Sequence, residues 1–156
     1  NDGQKYCTKK LKVGAKLSFQ ALVQASVDFE FEKSTKTKTH DMDNEKISSK
    51  SRLARIGSSG DWAQIGSSGY GAQIGSSGNG ARIASSGKHS VICCAGDGSI
   101  VKAQIGSWIT LSEWQYDKTE SMFIPVCVKT EYVDGKKIKA DTFYKLVNGK
   151  FEEVIV

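Results

Sequence analysis

The side chains of this chain that could do chemistry are few and poorly grouped. It has two histidines and four cysteines in 156 residues. His40 lies beside Asp41 and Asp43, the densest set of candidate cation ligands. That set falls in the polar stretch STKTKTHDMDN, which reads as a solvated loop. His89 follows Lys88 at a predicted chain reversal, where a solvated imidazole is the simpler reading. Cys7, Cys93, Cys94 and Cys127 form no Cys-x-x-Cys pair, so neither a zinc site nor a disulfide framework is indicated, and a reducing compartment fits. No nucleophile, base and orienting acid fall into a recognisable arrangement, and no glycine-rich turn ends in the Gly-Lys-Ser/Thr of a phosphate loop. The sequence therefore predicts no enzyme, no cofactor and no metal.

What organises the chain is a period. Residues 54–98 repeat a nine-residue unit five times: ARIGSSGDW, AQIGSSGYG, AQIGSSGNG, ARIASSGKH and SVICCAGDG. A fixed short period means that like segments stack on one another. In extended backbone, alternate side chains share a face. The inward columns are then Ala54, Ala63, Ala72, Ala81 and Ser90 with Ile56, Ile65, Ile74, Ile83 and Ile92, and Arg55, Gln64, Gln73, Arg82 and Val91 point out. Each buried isoleucine contributes roughly 1.5–3 kcal/mol. A helix is ruled out by the propensity cost of Gly-Ser-Ser-Gly in every unit.

The fold class expected is all-β: a short parallel β-solenoid, or β-roll, of nine-residue half-coils. With two units per coil, Ile56, Ile74 and Ile92 stack in one sheet while Ile65 and Ile83 stack in the sheet facing it; a three-sided coil is the rival geometry. The glycines of each Gly-Ser-Ser-Gly, such as Gly57 and Gly60, are expected at tight corners. Cys93 and Cys94, which replace a glycine and a serine of the unit, are expected as small corner residues. The variable pairs also fall on corners. Asp61-Trp62, Asn79-Gly80 and Asp97-Gly98 line one edge, and Tyr70-Gly71 and Lys88-His89 line the other.

A calcium-binding nonapeptide roll shares the Gly-x-x-Gly corner but places an aspartate where Trp62, Gly71, Gly80, His89 and Gly98 stand here, so no structural calcium is expected. The outward Arg, Gln, Gln, Arg, Val column is likewise a poor ladder for ice.

Three segments follow. Residues 1–44 form an N-terminal segment with at least one strand, Val27–Glu32, an apolar stretch at Leu17–Val23 and a polar loop from Lys33 to Asn44. Residues 45–106 form the solenoid, opened by a degenerate coil around Ile47. Ser99–Lys102 reads as an insertion before the echo Ala103-Gln104-Ile105-Gly106. Residues 107–156 form a C-terminal antiparallel β cap, with Asp134-Gly135 and Asn148-Gly149 as hairpin turns. Such covered ends are what a solenoid needs, because a bare last coil exposes unpaired backbone.

No run of 18 apolar residues occurs, so no membrane span is expected. The net charge of +5 admits a nucleic acid or nucleotide partner, but the basic residues are interleaved with acids as on an ordinary solvated surface.

The stretch AQIGSSGYGAQIGSSGNGARIASSG, followed by GSWITLSEW and VDGKKIKADTFYKLVNGKFEEV, resembles uncharacterised proteins encoded by bacteriophages and prophages of gut bacteria. The resemblance covers residues 54–156 and implies a phage or mobile-element context; it brings no activity. The location expected is the cytoplasm of a bacterial host, with a virion or secreted location as the alternatives. A weaker likeness is to the β-roll heads of trimeric autotransporter adhesins. The resulting expectation is a non-enzymatic interaction module that binds a protein partner or self-associates. Its candidate contacts are Trp62, Tyr70, Lys88, His89, Arg55 and Arg82, because aromatic and cationic side chains anchor interfaces. The alternatives are an accessory inhibitor of a host defence system, taking a defence protein or signal nucleotide, and a virion or surface adhesin-like component.

Overall fold

The computed structural model describes residues 38–155, and the regular structure in them is strand alone. In chain order the strands are β1 (Lys38–His40), β2 (Lys46–Ser49), β3 (Arg55–Ser58), β4 (Gln64–Ser67), β5 (Gln73–Ser76) and β6 (Arg82–Ser85). There follow β7 (Val91–Cys94), β8 (Ile100–Lys102), β9 (Trp108–Asp117), β10 (Met122–Tyr132), β11 (Phe143–Val147) and β12 (Lys150–Val154). The strand-like stretches at Leu17–Val23 and Val27–Glu32, and Cys7, lie outside the described residues.

Successive short strands alternate between two sheets. One sheet has the order β1-β3-β5-β7-β9-β10 and the other β12-β11-β8-β6-β4-β2. From β1 to β8 the pairing within each stack is parallel with residues 18 apart in register, Ile56 beside Ile74 and Ile65 beside Ile83. The molecule is thus a two-sided β-solenoid of about four turns, and the three-sided alternative does not occur.

The core follows from alternation carried further than the Ala-x-Ile motif. Positions one, three, five and seven of the unit all turn inward: Ala72, Ile74, Ser76 and Gly78 are buried, while Gln73 is exposed. The isoleucine columns meet between the sheets, with Ile65 at 2% and both Ile83 and Ile92 at 0% exposure. The first serine of each Gly-Ser-Ser-Gly is therefore a strand residue facing the core, not a corner. Cys94 occupies that column and Cys93 the outward glycine position of β7, so neither cysteine is a corner residue. Burial, with the neighbouring Cys93, pushes the Cys94 thiol up to about 12.

The glycines divide into two kinds. Gly57 and Gly75 lie in strands, and a Cβ there would meet nothing within 4 Å. Gly78 is different, because a Cβ there would sit 2.0 Å from the Gly60 carbonyl oxygen one coil below. Its absence of a side chain serves close stacking of the coils. The left-handed backbone falls instead on the ninth position, at Asn44, Leu53, Trp62, Gly71, Gly80, His89 and Gly98.

Both ends of the solenoid reach further than the sequence pattern indicated. Lys38–His40 is a strand paired with β3, and Asn44 has the ninth-position backbone, so residues 38–44 of the stretch read as a polar loop already belong to the stack. Ser99–Lys102 is no insertion. It is a half-coil in register, with Val101 on Ile83 and buried in the isoleucine column. The apparent repeat Ala103–Gly106 forms no strand and leaves Ile105 exposed, because Val101 already fills the inward place. Both segments place an aliphatic residue two after a small one, and only the 18-residue register chooses between them.

The C-terminal hairpins are antiparallel, as expected of the cap, and they continue both sheets. β9 stacks parallel on β7 through Ile92 and Ile109, then turns back as β10. β11 joins β8 antiparallel, with Tyr144 opposite Val101, and pairs with β12. Asn148-Gly149 makes the second hairpin, both residues with positive φ, as a two-residue type I′ turn requires. Asp134-Gly135 does not turn a hairpin. It opens the loop between β10 and β11, where the Asp134 carboxylate accepts the backbone N–H groups of Lys136, Lys137 and Ile138. Those donors hold the Asp134 carboxyl below its usual range.

Candidate functional site

Each coil closes through two corners, and every eighth and ninth residue is delivered to one of two edges. Across one edge, the N–H of Asn44 donates to the Asp61 carbonyl, Trp62 to Asn79 and Gly80 to Asp97, at 2.7 Å each. Across the other, Leu53 donates to Tyr70 and Gly71 to Lys88, at 2.8 and 2.9 Å. The backbone of each corner is thus fixed by the next, and the side chains at position eight stack in files 18 residues apart.

The first edge is acidic. Asp43, Asp61, Asn79 and Asp97 form a ladder in which the Oδ1 of each of the first three accepts the backbone N–H of the residue one coil on, at 2.9, 2.7 and 2.9 Å. The Asp43 and Asp61 carboxylates are therefore structural acceptors as well as surface charge. Trp62 lies on this edge, 61% exposed. Its ring covers Gly80, where a Cβ would fall 2.4 Å from the indole.

The second edge is basic and aromatic. The Arg52 guanidinium lies 5.4 Å from the Tyr70 ring centroid, and the Tyr70 and His89 rings are 5.2 Å apart and tilted by 56°. Lys88 stands in file with Tyr70. Large residues at position nine again cover small ones above, Leu53 over Gly71 and His89 over Gly106. Opposite charge on the two edges gives the solenoid a polarity across its width.

Of the six residues singled out from the sequence, the structure brings Tyr70, Lys88 and His89 together and puts Trp62 on the opposite edge. Arg55 points out from β3, in a column with Gln73 and Val91. Arg82 points out from β6 in the other sheet, where it lies 4.7 Å from the Phe143 ring centroid. Phe143 also takes Lys102, whose Nζ pairs with Asp141 at 2.7 Å. The two arginines therefore serve different faces.

His40 pairs through Nδ1 with Glu45. Among the described residues no three histidine, cysteine, aspartate or glutamate side chains gather as a metal site, and no helix is long and apolar enough to cross a membrane.

Two features were missed in the sequence. Asp43 keeps the 18-residue spacing of Asp61, Asn79 and Asp97, a signal that was present but lay in the stretch read as loop. The second is an aromatic pair, Trp108 with Tyr132, 5.0 Å apart; it exists only through the β9–β10 register, which no spacing announces. Protein-family models, curated proteins and solved structures each give no match to this chain.

Proposed function

We propose that this chain is a non-enzymatic interaction module of phage or prophage type, which binds a protein partner or copies of itself. The observation that supports this best is the basic and aromatic edge. Arg52, Tyr70, Lys88 and His89 are held side by side on a scaffold whose corners are hydrogen-bonded to one another. Such an edge meets a partner with little further ordering of its backbone, which lowers the entropic cost of association. Cation and aromatic groups in one file suit an acidic protein surface.

The same file fits a second reading, an inhibitor of host defence that takes a signal nucleotide, with cations for the phosphate and Tyr70 as a stacking surface. Affinity capture from a host lysate with the wild-type chain and with Tyr70→Ala/Lys88→Glu separates these readings. A protein retained by the wild type and lost by the variant is the expected result. A nucleotide carried through purification by the wild type alone moves the assignment to the second reading. Capture that is indifferent to both substitutions removes the edge from the account.

A further inference from the structure

Beyond the solenoid edges the structure carries an open sheet margin. β10 is the last strand of its sheet, and among the described residues nothing pairs with its far side. The phase of the ladder shows which groups are free. The Trp108 N–H donates back to Ser90, at 2.9 Å. Tyr132, opposite Trp108, is then in a non-hydrogen-bonded pair, and its N–H and C=O face outward. The same alternation turns out the backbone groups of Thr130 and Val128.

Upstream this margin is defended. Pro125 has no N–H, and the pairing slips between Pro125 and Cys127, two of the devices by which edge strands avoid association. From Val128 to Tyr132 neither of these is present, and the edge charges there, Lys129 and Glu131, are of opposite sign. Val128 is 62% and Tyr132 41% exposed, and Tyr132 continues an apolar row with Trp108 and Val91.

We propose that Val128–Tyr132 of β10 pairs antiparallel with the same segment of a second copy of this chain, with the two-fold axis at Thr130. This deepens the self-association arm of the reading above. Two six-stranded sheets then become one continuous sheet.

The occupant is argued from charge. Centred on Thr130, the pairing sets Val128 beside Tyr132 of the second copy, and Lys129 opposite Glu131 of the second copy, twice by symmetry. Moving the centre by one residue in either direction sets Lys129 against its own copy, or Glu131 against its own. Opposite charges across a pair stabilise it and like charges destabilise it, so charge favours the register centred on Thr130 over both of its neighbours. Lys129 Nζ now donates to the Gly149 carbonyl and Glu131 pairs with Lys137. Both contacts are exposed, and the Glu131 carboxylate retains capacity for a second cation.

The test is sedimentation equilibrium of the full chain at low salt. The wild type is expected at twice the 16.9 kDa of the chain. K129E and E131K each place like charges in register and are expected to weaken association about tenfold, and the double reversal K129E/E131K is expected to restore it. T130P removes an outward N–H and is expected to give monomer, with an unchanged circular-dichroism melting temperature showing that the fold survives. A wild-type monomer overturns the proposal, whatever else covers the edge. So does a dimer that neither the single reversals nor T130P weakens, since another surface then carries it. A monomer that still captures a partner through Tyr70 and Lys88 sinks the dimer and leaves the proposed function standing.

Discussion

Trp62 and His89 adopt the same left-handed backbone as Gly71, Gly80 and Gly98, at a cost of about 1–2 kcal/mol for a residue with a Cβ. Both side chains recover part of this by covering a glycine one coil on. The serine column shows a similar balance. Ser85 Oγ bonds Ser90 Oγ at 2.8 Å inside the core, whereas the hydroxyls of Ser58 and Ser76 meet no protein partner. A buried hydroxyl without a partner costs about 1–3 kcal/mol, while a made hydrogen bond contributes about 1 kcal/mol. Ser76→Ala is therefore expected to raise the urea midpoint of unfolding and Ser85→Ala to lower it, each by the equivalent of about 1 kcal/mol. Equal loss in both variants would mean that the column is stabilised by its hydroxyls throughout.

At the scale of the strand and corner, the two glycines of each unit answer to different constraints. Gly75→Ala adds a methyl to an open outward face, where Ala84 already stands in the adjacent sheet, and is expected to leave stability unchanged or slightly improved. Gly78→Ala drives a methyl into the Gly60 carbonyl and is expected to cost about 3 kcal/mol, seen as a large fall in melting temperature. A tolerated Gly78→Ala would mean that the coils stack further apart than described. This difference marks how far the sequence can be read. Period two and period nine together give the inward isoleucines, because burying an aliphatic column is a local requirement repeated in every coil. The Gly-Ser-Ser-Gly run does not reveal that its serine faces inward while its second glycine touches the neighbouring coil. Those are contacts between segments, and a glycine needed for proximity looks the same in sequence as one needed for φ. Asp134-Gly135 misleads in the same way, since an Asp-Gly turn fits a loop as well as a hairpin.

For the whole molecule, the 18-residue coil sets the position of the surface features along the solenoid. It gathers Asp43, Asp61, Asn79 and Asp97 on one edge and Arg52, Tyr70 and Lys88 on the other, and it places Arg55 and Arg82 in different sheets. The edges were legible once two units per coil was assumed; the open margin of β10 was not, because it depends on where the C-terminal hairpins attach. Val101 shows why the solenoid's end was misplaced, since a valine after a non-repeating Ser-Ile fills the inward column as well as an isoleucine does. The number of units per coil is therefore the central claim, and paired cysteines in a background lacking the native four test it. Strands that pair in a sheet lie about 4.8 Å apart, within disulfide reach. Gln64→Cys with Arg82→Cys, neighbours in register on β4 and β6, is expected to oxidise readily to an intramolecular disulfide. Arg55→Cys with Arg82→Cys, 27 residues apart and in opposite sheets, is expected to stay reduced. Ready oxidation of the second pair, with none of the first, would contradict the two-sided coil and the edges built on it.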